Sequence, residues 1–228
     1  VLPRPERPAH VTEEDLDVTV RTSPPEHDPG AETRHGTTVD VAPTRVRARS
    51  WAVRVAIFLR AINTGDRRVT NAELIECLGG ADLPDVSAFQ AAGNLLATAD
   101  DVAVADIVAA VESAIVERFG YRSEAFVRTS EQLAATVAGV PFADDLLAAT
   151  EGRVQVTFLS EEPTDEVRSA VADLVPADDR VVIGQDVWYW LPRAGISTSN
   201  LKVGAVETIL GPMTMRTLAT VEKVLARL

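Results

Sequence analysis

From residue 53 onward the chain alternates between short β-branched apolar runs and longer stretches whose apolar residues return every three or four positions. Val53-Arg54-Val55-Ala56-Ile57-Phe58-Leu59 has side chains to bury on both faces, as a central strand does. After a loop containing Gly65, Thr70-Asn71-Ala72-Glu73 is a capping box that opens a short helix with Leu74, Ile75 and Leu78 inward, and Gly79-Gly80 ends it. Residues 85–89 and 94–98 read as two strands joined around Ala91-Ala92-Gly93. Ile107, Val108, Val111, Ile115, Val116 and Phe119 then share one helical face, with Gly120 as its stop. Residues 124–128 form a further strand and 130–137 a further helix, so the order is βαββαβ with a trailing helix.

The pattern restarts at Val154-Gln155-Val156-Thr157-Phe158-Leu159. Pro163-Thr164 opens a helix carrying Val167, Val171 and Leu174, and residues 180–183 and 187–191 pair across a tight turn at Gly184-Gln185-Asp186. A helix over about 200–210, a short extended piece at 213–216 and a last helix with Leu218, Val221, Val224, Leu225 and Leu228 complete the chain. The economical fold class is α+β, two ferredoxin-like halves of βαββα type, spanning 51–150 and 151–228. Residue identity between the halves is weak, so the repeat rests on element order. Residues 1–50 differ in texture: they hold 7 of the 13 prolines, no Phe, Tyr or Trp, and interleaved charges without an apolar period. Such a segment does not offset its ordering entropy, and the expectation is a disordered tail, dispensable for folding, with the natural translation start near Val53.

Composition narrows the function more than it defines it. The net charge is −12, of which −10 belongs to residues 51–228, so bulk charge does not favour nucleic acid. His10, His27 and His35 all lie in the tail, which removes a histidine base, a Ser-His-Asp triad and a His-ligated zinc site from the folded part. The single Cys77 makes neither an internal disulfide nor a thiolate cage. No apolar run approaches the ~20 residues of a spanning helix, and the amino terminus lacks the apolar core of a secretory signal. The expected location is cytoplasmic, without membrane partner, metal or cofactor, and the oligomeric state is not legible.

Phe58-Leu59-Arg60-Ala61-Ile62-Asn63-Thr64-Gly65 resembles the opening Leu-Arg-Gly-Ile-Asn-Val-Gly motif of the bacterial family called domain of unknown function 1697. Gly93-Asn94, Val127-Arg128-Thr129 and Pro141-Phe142 are similar to later family stretches in order and spacing. Gly195-Ile196-Ser197-Thr198-Ser199-Asn200-Leu201 resembles Gly-Ile-Gly-Arg-Ser-Lys-Leu, and residues 216–223 resemble Arg-Asn-Trp-Asn-Thr-Val-x-Lys. The departures are Asn200 for Lys, Thr217-Leu218-Ala219 for Asn-Trp-Asn, and Ala61 and Ala92 for Gly and Ser. The family has no established activity, so the resemblance implies a fold and a set of polar positions, not a reaction.

Those positions give the candidate site: Arg60, Asn63, Arg67, Ser199, Arg216 and Lys223. In a chain of this charge, a cluster of cations near helix N-termini would be the place for an anion, and the expected partner is a small anionic or nucleotide ligand. Arg60 continues a strand with two apolar faces, so it is either half of a structural ion pair or an anion contact. Loop 63–68 matches neither the phosphate-binding loop nor the dinucleotide fingerprint, and a solvated turn with Asn63 or Gly65 at positive φ explains it better than an anion site. Ser199 and Lys202 have the spacing of a dyad, but Ser199 is well placed as a helix N-cap. The alternative function is a protein-interaction module using an exposed sheet edge or the Trp188/Trp190 strand face. Whether any reaction is catalysed stays open.

Overall fold

The computed structural model describes residues 52–81, 83–90, 93–100 and 103–228. The expected tail, 1–50, lies outside them. Strand β1 (Ala52–Leu59) leads through helix α1 (Asn71–Gly79) to β2 (Ser87–Ala88) and β3 (Asn94–Asp100), then α2 (Val104–Phe119), β4 (Ala125–Thr129) and α3 (Ser130–Ala138). After a short α4 (Asp144–Ala149), the order repeats as β5 (Gln155–Leu159), α5 (Asp165–Ala172), β6 (Arg180–Ile183), β7 (Val187–Leu191), α6 (Val203–Leu210), β8 (Met213–Thr217) and α7 (Leu218–Leu225). Among the described residues two antiparallel sheets form, ordered β2-β3-β1-β4 and β6-β7-β5-β8. First and third strands are central in each, the strand order of a ferredoxin-like unit made twice.

The central strands bury both faces because the two sheets face each other. Val55, Ile57 and Leu59 point to α1 and α2, joining Leu74, Leu78, Val111 and Ile115. Ala56 and Phe58 point the other way and share one cluster with Val156 and Phe158 of β5. Phe58 and Phe158 stack at 4.6 Å between ring centroids, at the middle of this shared layer. Leu133 of α3 and Val221 and Val224 of α7 close it. On the far side of the second sheet, Trp188 and Trp190 pack with Leu159, Val171, Val206 and Met213. The order of layers is therefore helices, sheet, sheet, helices, with the core continuous across the two halves.

Local chemistry sets the element ends where the sequence indicates. Thr70 and Glu73 form the expected capping box of α1, and Gly120 stops α2 in a left-handed conformation at φ 76°. Some expectations change. Ile75, expected inward, is 36% exposed, while Leu74, Cys77 and Leu78 are buried as their shared apolar face implies. Leu174 and Val116 also face water. The strand expected over 85–89 shortens to Ser87–Ala88, since Asp85 sits at φ 56° and breaks the extended run. Helix α6 begins at Val203, not near 200. Helix α4 has no counterpart in the other half.

Candidate functional site

Two arginines at equivalent places tie the halves together. Arg128 of β4 pairs with Ala56, and Arg216 of β8 pairs with Val156. Each donates through Nη1 to the carbonyl preceding it in its own strand, Val127 at 2.9 Å and Met215 at 2.8 Å. Each reaches through Nη2 to the last carbonyl of the other sheet's central strand, Leu159 at 3.2 Å and Leu59 at 3.0 Å. Arg128 also meets Asp186, whose carboxylate lies 3.1 Å from Nε, out of line for a hydrogen bond, and whose carbonyl accepts from Nη2. Arg216 donates through Nε to Asn94 and through Nη1 to Thr214. Their guanidinium groups lie over Phe158 and Phe58. Burial lowers both pKa values, that of Arg216 to about 10, with Asp186 opposing the effect at Arg128.

Some of the residues that resemble the family pattern meet in this junction. Leu59, Gly93, Asn94 and Arg216 form one hydrogen-bonded knot, closed by Leu59 N–H donating to Gly93 at 2.8 Å. Gly93 has no room for a side chain: at φ +71° a Cβ would lie 2.8 Å from that of Leu59.

The six expected site residues divide. Arg60 and Arg216 are neighbours, since Arg216 binds the carbonyl just before Arg60. Arg60 makes ion pairs: it bonds Glu124 at 3.0 Å and also Glu207 of α6, which links the halves again. Burial opposes its charge, yet the hydrogen bond to Glu124 and the field of Glu207 prevail and raise its pKa. Asn63 staples the loop that follows, accepting from Val69 N–H at 2.6 Å and donating to the Val69 carbonyl at 3.0 Å. The guanidinium carbon of Arg67 lies over the Tyr121 ring, 4.1 Å from its centroid, and Tyr121 in turn donates to the Ile62 carbonyl. Burial raises the Tyr121 pKa against the opposing charge of Arg67.

Ser199 stands apart. It donates to buried Asp179, which also accepts from Trp190 Nε1 at 3.0 Å and from Arg193 N–H at 3.2 Å. Its hydroxyl accepts from Leu201 N–H, so it orders the approach to α6 but is not its N-cap, which is Lys202. Lys223 is exposed near the end of α7, and among the described residues no hydrogen bond or ion pair joins it to the others. Glu124, Glu207 and Tyr121 stand in no motif of the sequence, and only the folded geometry brings them to these contacts. The aromatic strand is no surface either: Trp188 and Trp190 are each 0% exposed, because α5 and α6 cover them. Edge strand β6 is four residues long, and Arg168 of α5 donates to the Ile183 and Gly184 carbonyls beside it. Among the described residues no group of three or more metal-binding side chains occurs, and no helix is long and apolar enough to cross a membrane.

Comparison with known proteins agrees with this geometry at the level of fold. No curated protein matches the sequence. The conserved bacterial protein SP0830 from Streptococcus pneumoniae has a similar structure, with a TM-score of 0.63 at 22% identity, covering 77% of this chain and 98% of that one. The family model described as protein of unknown function (DUF1697) matches residues 53–189, from the first strand of the knot to the second sheet's aromatic strand, and the chain belongs to that family.

Proposed function

We propose that the protein binds a small anionic ligand at the loop following β1, with Arg67 as its clamp. The observation that carries this reading is the Arg67–Tyr121 stack: the ring orients the guanidinium while no hydrogen bond or carboxylate engages its donors among the described residues. The loop is held for that purpose from both sides, by the Asn63 staple and by Tyr121 on Ile62. Arg60 and Arg216, spent on Glu124, Glu207, Leu59 and Asn94, serve as the frame on which the loop sits. A stacked guanidinium presents its N–H fork edge-on, which suits a phosphate or carboxylate.

The test is a thermal-shift and calorimetric titration with inorganic phosphate and nucleoside monophosphates at low ionic strength, where exposed charge pairs are least screened. The parent should bind at least one of them, and Arg67→Ala should lose it with an unchanged melting temperature in the absence of ligand. A parent that binds none of them at millimolar concentration ends this reading.

A further inference from the structure

The two halves are close enough in design that their differences carry information, and they differ at the outer strand of each sheet. Residue 182 is equivalent to residue 87: Val182 pairs with Tyr189, which opposes Val156, and Ser87 pairs with Leu96, which opposes Ala56. In the first half this edge strand is two residues long, follows Asp85 at φ 56° and carries the exposed Ser87. In the second half it is four residues long, and in the place of Ser87 stands Val182, 41% exposed. A longer edge with an exposed apolar residue is a template for pairing with another chain, and the sister half shows that the fold does not require it.

The backbone of β6 is presented in a fixed order. Gly184 N–H donates to the Val187 carbonyl at 2.7 Å, and antiparallel pairs alternate. Val182 and Arg180 therefore spend their backbone groups on β7, while those of Val181 and Ile183 point away from the sheet. Among the described residues Val181 N–H, Val181 C=O and Ile183 N–H have no partner. The Ile183 carbonyl accepts from Arg168 at 2.6 Å and keeps its second lone pair.

These groups match a copy of themselves. With β6 antiparallel to a second β6 about a two-fold axis at Val182, Val181 of each copy faces Ile183 of the other, and the outward N–H and C=O groups of both residues are matched. Val182 then lies beside its twin in a non-hydrogen-bonded pair, where side chains approach most closely, and its exposed surface is covered. On the opposite face, Val181 and Ile183 of the second copy meet a groove of about 320 Å³ between β6 and α5, with apolar walls of Ala172, Val175, Val181 and Ile183. The charges fit as well: Arg180 faces the Gly184-Gln185-Asp186 turn of the other copy, which holds a carboxylate and no cation. An axis at Val181 fits worse, because it sets Ile183 against Asp179, whose N–H is already spent on the Pro176 carbonyl.

We propose that the protein forms a symmetric dimer through β6, which joins the second sheets of two copies into one continuous sheet. The self-matched register, with an apolar residue on the axis and no like charges opposed, is the reason the occupant is a second copy of this chain and not an unrelated peptide. The contact is short, so the dimer is a dissociable one. It uses no residue of the Arg67 loop and does not rest on the anion reading.

Sedimentation velocity of the full chain should show a dimer whose fraction rises between about 1 and 200 µM. Val182→Lys changes an exposed position, so it should keep the circular dichroism of the parent and weaken the dimer by about tenfold or more. Cross-linking reads the register. Val182→Cys should form an intermolecular disulfide on mild oxidation, since the axis brings the two Cα atoms to roughly 4.5 Å, within disulfide reach. Arg180→Cys should not, because its twin lies four residues along the second strand, about 13 Å away. The free cysteine of the parent, Cys77, is buried, so the parent serves as the blank. The proposal is overturned if the parent stays monomeric over the whole range, if Val182→Lys associates like the parent, or if Arg180→Cys cross-links as readily as Val182→Cys. Should Val182→Lys misfold, the sedimentation of the parent and the two cysteine variants still decide.

Discussion

At the scale of single residues, the chain commits its arginines to structure before function. Arg216 is held at a pKa of about 10 by burial, still charged at neutral pH, because Leu59, Asn94, Thr214 and Met215 surround it with acceptors. Arg216→Ala leaves several of those acceptors unmatched, and urea unfolding should show a loss of about 3 kcal/mol or more. Arg216→Lys should lose much of the same, since one ammonium group does not span Leu59 and Asn94 together. The opposite case is Thr157, whose buried hydroxyl has no partner among the described residues, next to the equally unpartnered Nε1 of Trp188 across the strand pair. Thr157→Val keeps the shape and removes the orphan, so it should stabilise by roughly 1 kcal/mol. Glu124 gives a pH signature. Burial alone would raise its pKa, but a backbone hydrogen bond and Arg60 lower it below the unfolded value. Its contribution is therefore complete above the ordinary carboxylate range and is lost as pH falls through the lowered folded value. Arg60→Gln should flatten the acid limb of the stability curve below about pH 4.3, and an unchanged limb would contradict the pairing. Sequence could pose the Arg60 question but not answer it, because Glu124 and Glu207 are 64 and 147 positions away.

At the scale of elements, what is local was legible and what depends on a neighbour was not. The α1 capping box, the Gly120 stop and the β6–β7 turn are written in adjacent residues, and each forms where expected. Ile75 fits the apolar face of α1 as well as Cys77 does, and only the position of α2, whose Ala114 carbonyl accepts from Cys77, selects between them. The trailing strand at 213–216 gave no partner by pattern, yet it holds the clearest internal repeat: Arg-Thr at 128–129 and again at 216–217, strand end and helix cap in both. A two-residue repeat is invisible as identity and plain once the elements are aligned. Thr70→Ala should cost about 1 kcal/mol by removing the α1 cap. Gly93→Ala should cost about 2 kcal/mol or more, because the left-handed backbone and the Cβ of Leu59 both oppose it, and neither is a flexible side-chain end. A denaturant midpoint for Gly93→Ala equal to the parent's would mean that the knot is loose.

At the scale of the molecule, the two halves share the layer they would each need to fold alone. Ala56 and Phe58 of the first sheet and Val156 and Phe158 of the second bury one another, while Arg128, Arg216 and the Arg60–Glu207 pair cross the boundary at its ends. Separating the halves would expose that apolar layer and orphan two buried guanidinium groups, so an intermediate with one half folded should be too costly to accumulate. The expectation is a single cooperative transition. Trp188 and Trp190 make it measurable, because both belong to the second sheet and no described tryptophan belongs to the first. In a Trp51→Phe background their fluorescence reports the second half, while far-UV circular dichroism reports both. The two signals should give one midpoint in urea. Phe58→Ala lies wholly in the first half, yet it empties the stack on Phe158, and it should lower the tryptophan midpoint and the circular dichroism midpoint together by an amount worth about 3–5 kcal/mol. If Phe58→Ala shifted the circular dichroism and left the tryptophan midpoint in place, the halves would be separable folding units and the shared layer only a contact between them.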